Sequence, residues 1–425
     1  MNEYFFEQMR ELLGERYDEF KRAYDGKPRF KALRVNTLKI SAERFSDIFR
    51  GELKANPLCS ASFYCDVKPS LDPLYHAGLY YMQEPSASAA VAAFAPYIGE
   101  RVLDLCAAPG GKATQAAASM NGGVIFCNDP EYKRVRALAE NIERLGVRNA
   151  VVTCNTAADY RAAGFDGYFD TLIVDAPCSG GGMMRYENVV YDRDTVSGCA
   201  ARQRAILKDA VRLLCGGGYM LYSTCTFSCE ENEDNIGYLR TLGLTPVETP
   251  LLPCVERGVG ENCARRIYLH NFDGEGHFYC VLKKPDGEVA RKPLLRSKRK
   301  TVKIGGMSVD AIEIDGRTVL PIAAPELFGL NAVRIGAPVS GDRGAPTQAL
   351  LHALDLSELS RLGAVELSAD DARRYIGGEQ LDIRAPRDTV VATYKGFALG
   401  GVRSAPTGDG ASALKNLYPK NLRVR

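Results

Sequence analysis

Residues Arg101–Thr114 read RVLDLCAAPGGKAT, and their reading decides the fold. Val102 to Leu105 is a short branched apolar run of the kind a buried parallel strand uses, and Pro109, Gly110 and Gly111 break it into a tight turn before Lys112 opens an Ala-rich helix. Strand, glycine loop and helix in that order let a ligand approach the backbone, with the unpaired N–H groups of the helix N-terminus behind it. The loop lacks the G-x-G-x-x-G spacing of a dinucleotide fingerprint, and Ala113 stands where a Walker-type phosphate loop needs Ser or Thr. The following strand, Gly123 to Cys127, ends in Asn128-Asp129, about 20 residues past the glycines, where a doubly wound fold places an acid against a ribose diol. A glycine loop and a ribose acid without a phosphate fingerprint suit S-adenosylmethionine.

Outward from this stretch, Met82 to about Lys284 alternates strand and helix, which predicts a parallel sheet covered on both faces. Strands are expected at 149–153, at Thr171–Val174 and at Tyr219–Tyr222, with helices over 131–145 and around Ala200–Leu214. Ligands of such sheets bind beyond the carboxyl ends of the strands, here Leu105, Asp129, Asp175 and Ser223. The expected organisation is an N-terminal RNA-binding subdomain over 1–80, this core over 81–285, a basic linker over 286–303, an intermediate α+β module over 304–368 and a C-terminal module over 369–425. Arg34 and Lys39 are read as solvated surface or as RNA-backbone contacts.

Composition narrows the class. The chain has 425 residues, 46% hydrophobic and 25% charged, which describes a water-soluble globular protein of several domains. The start MNEYFFEQMRELLG has no signal-peptide pattern, and the longest apolar stretch, Ala87 to Ile98, is too short for a membrane span and reads as a buried helix. Thirteen Cys without C-x-x-C pairs and four His give no metal spacing and imply a reducing cytoplasm. A net charge of +2 leaves RNA binding to local basic patches.

Two cysteines stand at expected neighbouring strand ends, Cys178 in Asp175-Ala176-Pro177-Cys178-Ser179-Gly180 and Cys225 in Ser223-Thr224-Cys225-Thr226. C5 of cytosine is a poor nucleophile until something adds at C6, and a thiolate can add there. Ser228-Cys229-Glu230-Glu231 is a capping-box pattern that predicts a helix running to about Leu242.

DLCAAPGGKAT, FDTLIVDAPCSG, Cys199-Ala200-Ala201-Arg202-Gln203, YSTCTFSCEENE and Gly274-Glu275-Gly276-His277-Phe278 resemble the NOL1/NOP2/sun family of RNA 5-methylcytosine methyltransferases. Gly182-Met183-Met184-Arg185, Gly396-Phe397-Ala398-Leu399-Gly400 and LKNLYPKNLR look most like its bacterial RsmF branch, which modifies 16S ribosomal RNA. The resemblance implies a class I, Rossmann-like core between RNA-binding modules, the last PUA-like, with RNA or the small ribosomal subunit as partner, no metal and a monomeric state. It implies Cys225 as the nucleophile at C6, Cys178 as the residue assisting release, Asp175 at the N3/N4 edge of the base, and Lys112 near Asp175 and the methyl donor. The expected cofactor contacts are Cys106, Ala107, Ala108, Pro109, Gly110, Gly111, Lys112, Asp129, Arg134, Asp175 and, for the adenine edge, Asn155 or Thr156, with Asp159 slightly late in the chain. Four alternatives stay open: amino-group methylation, in which Asp175–Cys178 would be a distant form of an Asp/Asn-Pro-Pro-aromatic motif; the same RNA 5-methylcytosine reaction with Cys178 as nucleophile; 5-methylcytosine formation on tRNA or another rRNA; and a non-catalytic ribosome-assembly RNA-binding protein.

Overall fold

Val102, Leu103, Ile125, Phe126, Val151, Val152, Leu172 and Ile173 are all fully buried, the mark of strands covered on both faces. In the computed structural model, which describes residues 2–423 apart from 186–188, 306, 315, 341–344, 384–388 and 407–411, these residues form the centre of a ten-stranded sheet. Its parallel part runs in the spatial order Ala150–Thr153, Val124–Asn128, Arg101–Asp104, Phe169–Asp175, Leu214–Thr224. The chain winds outward from Arg101–Asp104 in one direction and then returns to its other side with Phe169–Asp175. That reversal opens a crevice between the two strands, at their carboxyl ends.

Alternation along each strand divides the core. Leu103, Phe126, Val151, Leu172 and Val174 face the helices Ala157–Ala162, Arg193–Leu213 and Glu233–Thr241. Val102, Ile125, Val152 and Ile173 face Ala87–Phe94, Gly111–Ser119 and Tyr132–Arg144. His277–Lys283 then lies antiparallel to Leu214–Thr224, with Phe278 opposite Thr224 and Tyr279 opposite Ser223. On the far edge Ala332–Ile335, from the region expected as an independent intermediate module, adds to Ala150–Thr153 antiparallel.

The N-terminal helices Glu3–Leu13 and Tyr17–Gly26 pack Phe5 and Phe20 on Phe227 beside the STCT turn. A four-stranded antiparallel sheet follows, ordered Lys54–Ala55, Ser62–Tyr64, Ala32–Val35, Tyr80–Met82. Its core is continuous with that of the C-terminal module: Leu33, Leu74 and Tyr80 cluster with Tyr375, Ile376 and Tyr418, and His76 Nδ1 lies 2.7 Å from the Tyr418 hydroxyl. The C-terminal sheet takes its first strand from Ala364–Glu366 and continues through Val391–Tyr394, Phe397–Pro406 and Ser412–Asn416. Arg425 of the cationic tail lies outside the described residues.

Three expectations are corrected. Arg34 is neither solvated nor free for RNA: it is 3% exposed and donates to Gln83 Oε1 (2.6 Å), Gly111 O (3.1 Å) and Thr114 Oγ1 (2.8 Å). Lys39 donates to Ala77 O (2.8 Å) and meets His352 Nδ1 (3.3 Å), and burial pushes its ammonium down to about 7, so it is held between modules and not free for RNA. Within the expected basic linker, Lys298–Ile304 is the first strand of a hairpin with Met307–Ile314; its charged residues are exposed because only the end at Ile304 reaches a core.

Candidate active site

The glycine loop is held by backbone bonds from both neighbouring strands: Leu105 N donates to Ile173 O (2.9 Å) and Ala107 N to Asn128 O (2.7 Å). Gly110 turns at φ +114°, in the left-handed region where a side chain would be strained, and a Cβ there would also press on Leu138. Its conformation opens the helix Gly111–Ser119 and directs Lys112 back over the crevice.

There Lys112 Nζ lies 2.8 Å from Asp175 Oδ2, and Ser223 Oγ donates to Asp175 Oδ1 (2.7 Å). Burial by itself would raise the Asp175 carboxyl, but the Lys112 ammonium and the two hydrogen bonds outweigh it and hold the group below the usual carboxylate range. His277, 3% exposed, follows from the ladder as the residue across from Cys225, on the sheet face of Asp175 and Ser223. Burial and the nearby Lys112 charge push its imidazole down to about 3, so it is neutral. Neither ring nitrogen has a hydrogen-bond partner among the described residues.

The strand Phe169–Asp175 carries Cys178 just past its end, and the parallel neighbour Leu214–Thr224 carries Cys225. Their sulfurs lie 3.2 Å apart, both as free thiols. The bond to Cys225, burial and the Glu231 carboxylate push the Cys178 thiol well above its usual range. Gly182 N donates to Cys225 O (2.9 Å), and a Cβ on Gly182 would stand 2.9 Å from that oxygen, so only glycine permits this approach.

On the other side of the loop, Asp129 is fully buried, with Oδ1 accepting from Glu131 N (3.0 Å) and Oδ2 3.1 Å from the Arg134 guanidinium. Arg134 also donates to Ala108 O (2.8 Å), which ties Asp129 to the loop. Asn155 is nearby, but its amide is engaged at both ends: Nδ2 donates to Asn331 O (3.3 Å) and Oδ1 accepts from Asn331 N (3.1 Å). It braces the crevice wall against the incoming edge strand.

Asp104 was absent from the expected set. It is fully buried, and neither carboxylate oxygen has a hydrogen-bond partner among the described residues. Burial, then the charge of Asp175, raises it well above the usual range. Its position, an acid ending the strand that enters a glycine loop, was a usable signal in RVLDLCAAPGG. The Ser228–Glu231 capping box is half formed: Glu231 N donates to Ser228 Oγ (3.2 Å), but the Glu231 side chain bonds Ser179 instead, and the helix begins at Glu233. Among the described residues no His, Cys, Asp and Glu cluster could hold a metal ion, and no helix is long and apolar enough to cross a membrane.

Residues 91–283 match the family described as 16S rRNA methyltransferase RsmB/F, residues 1–85 the N-terminal domain of 16S rRNA methyltransferase RsmF, and residues 363–424 the methyltransferase RsmF PUA domain. The chain is similar to the ribosomal RNA small subunit methyltransferase F of Enterobacter sp. (strain 638), 30% identical over 98% of this chain and 95% of that protein. It is likewise similar to the protein of that name from Escherichia coli O17:K52:H18, at 34% identity over the same shares. Among solved structures, a methyltransferase homologue from Pyrococcus horikoshii is 29% identical over 65% of this chain and 93% of that one, with a TM-score of 0.58. NSun6 from the same organism, solved with SFG, shares the fold at 22% identity over 67% of this chain and 98% of that one, with a TM-score of 0.59. With 16S rRNA methyltransferase domains matched at both ends and in the core, the chain belongs to the RsmF family of 16S ribosomal RNA methyltransferases.

Proposed function

We propose that this RNA methyltransferase acts on C5 of a cytosine in 16S rRNA, with S-adenosylmethionine as methyl donor and Cys225 as a covalent nucleophile. The observation that carries the reading is the 3.2 Å pairing of Cys178 and Cys225 at adjacent strand ends, beside the Lys112–Asp175 ion pair. Amino-group methylation has no use for two facing thiols.

The residues present fit the donor. The unpartnered Asp104 carboxylate suits a cationic amino group, Asp129 suits a ribose diol, and Cys106 to Gly111 supply a close backbone wall, with Asn155 bracing the adenine side. S-adenosylmethionine supplies an electrophilic methyl on a sulfonium. Around the base, Cys225 Sγ adds to C6 as its thiol proton passes by way of the Asp175 carboxylate to N3, and the electron pair of the C5=C6 bond moves through C4 to N3 to meet that proton. Asp175, kept ionised by Lys112, accepts hydrogen bonds from the protonated N3 and the N4 amino group and stabilises that enamine. Once C5 carries the methyl group, loss of its proton to a base restores the double bond and expels the Cys225 sulfur. With Cys178 held as a thiol 3.2 Å away, its S–H can donate to Cys225 Sγ as that sulfur departs, which suits Cys178 to assist the release. The protein acts as a monomer, with the N-terminal and PUA modules carrying the RNA.

Wild type, Cys178→Ala and Cys225→Ala incubated with S-adenosylmethionine and small-subunit RNA, then resolved on a denaturing gel, test this reading. Adduct accumulating in Cys178→Ala and absent in Cys225→Ala supports the assignment. The reverse pattern exchanges the two roles. No adduct in either variant while wild type still methylates RNA removes the covalent mechanism.

A further inference from the structure

A buried polar network lies directly beneath the two cysteines. Glu231, 0% exposed, accepts from Ser179 N (3.0 Å), from Ser179 Oγ and from Gln203 Nε2 (2.8 Å). Gln203 Nε2 also donates to Pro177 O (3.0 Å). The two residues flanking Cys178 in sequence, Pro177 and Ser179, are therefore both anchored to this pair. The flanks of Cys225 join the same network: Thr226 Oγ1 lies 2.9 Å from Ser179 Oγ, Thr224 Oγ1 donates to Asn232 Oδ1 (2.6 Å), and Asn232 Nδ2 donates to Thr226 O (3.0 Å). Tyr222 and Asn235 close it from below through Glu231 O and Gln203 Oε1.

Stability gives little reason for a carboxylate here. Burying one costs several kcal/mol even when hydrogen-bonded, and buried ionic groups can often be replaced by neutral ones without loss. What the charge does offer is three convergent donors fixed at one point and a negative field at Cys178. We propose that Glu231 is a positioning residue that sets the approach of Cys178 to Cys225 and so controls release of the methylated RNA from the enzyme. The inference rests on the assignment of Cys225 as nucleophile and Cys178 as release residue. Glu231 touches neither base nor donor; it acts through the Pro177–Ser179 segment. Replacing it by Gln keeps the size and one acceptor oxygen for Ser179 N and Gln203 Nε2, but removes the charge and puts an NH2 donor against Ser179 Oγ where a carboxylate oxygen accepted, which loosens the hold on Cys178. Adduct formation at Cys225 should survive and its resolution should slow.

The test is adduct accumulation on denaturing gels during turnover for wild type, Cys178→Ala, Glu231→Gln and the double variant, with Ser179→Ala as a milder probe of the same link. Glu231→Gln is expected to raise steady-state adduct roughly ten-fold, the order of effect seen when a supporting hydrogen bond is lost. Added to Cys178→Ala it should raise adduct no further. A merely structural residue would lower adduct formation and release together, in either background. Equal or lower adduct in both Glu231→Gln and Ser179→Ala overturns the proposal, as does an additive double variant. If Cys178→Ala itself fails to accumulate adduct, the assignment of the cysteines has failed instead, and the two failures are distinguishable in one gel.

Discussion

Lys112 Nζ lies 2.8 Å from Asp175 Oδ2, and the two come from different strand ends across the crevice at which the sheet reverses direction. Lys112 is 8% exposed at its side chain and Asp175 34% exposed, so the pair is shielded from the back and open toward the crevice. An ion pair so placed keeps the Asp175 carboxylate ionised at the mouth of the crevice.

Lys112→Met removes the cation that holds Asp175 below the usual range and leaves burial to raise it. The ionised form then requires a higher pH. Single-turnover methylation should fall by roughly two orders of magnitude near neutrality, and the acid limb of its pH profile should move to higher pH. A variant whose acid limb stays in place would show that Lys112 serves the donor alone.

Asp104→Asn separates cofactor binding from stability. The acid is buried without a hydrogen-bond partner among the described residues, so it weakens the free protein and is suited to a cationic ligand group. The variant should bind S-adenosylmethionine at least about ten-fold more weakly, roughly 1.4 kcal/mol, while its melting temperature without ligand holds or rises. Calorimetric titration and a thermal melt read the two halves; a lower melting temperature with unchanged affinity contradicts both.

His277 predicts an acid instability. Its folded pKa of about 3 lies below the ordinary value of 6.5, so the unfolded chain binds the extra proton between them. Stability attributable to this residue is complete above about pH 6.5 and falls as the pH drops toward 3; by about pH 5.5 some 1.4 kcal/mol is lost, and about 1.4 kcal/mol more for each further unit. Urea unfolding of wild type and His277→Gln at several pH values should show a shallower acid decline in the variant. Parallel declines would place the loss in other buried histidines.

Where sequence reading worked, the signal was local. RVLDLCAAPGGKAT carries its strand, turn and helix within fourteen contiguous residues, and the cysteines of DAPCSG and STCT meet because each follows a strand of one parallel pair. Where it failed, the partner was distant. Glu231 has the spacing of a capping acid, but Ser179, 52 positions away, competes for its carboxylate and wins. Asn155 is the residue the sequence offers for an adenine edge, yet Asn331 engages its amide across 176 positions, beside a strand that no periodicity assigned to this sheet. Lys298–Ile304 pairs in register with Met307–Ile314, but its cations hide the strand period.

Arg34 is the sharpest case of a long-range partner, and it carries the last prediction. Its guanidinium is 3% exposed, below its ordinary basicity at about 10 because burial disfavours the charge, and it spans Gln83 and the first turn of the Lys112 helix. The N-terminal sheet is thereby fastened to the glycine loop. Arg34→Met keeps the stem that packs on the sheet but leaves Gly111 O and Gln83 Oε1 short of a donor. The loss should be about 2–4 kcal/mol in urea unfolding, the scale of several buried hydrogen bonds to a charged group. On the proposal that the Gly111 loop walls the donor site, S-adenosylmethionine affinity should fall with it. RNA affinity, measured by filter binding in the absence of donor, should change little, since Arg34 is closed off from solvent. A variant that loses RNA affinity while stability and donor affinity hold would return Arg34 to the RNA surface, against the burial seen here.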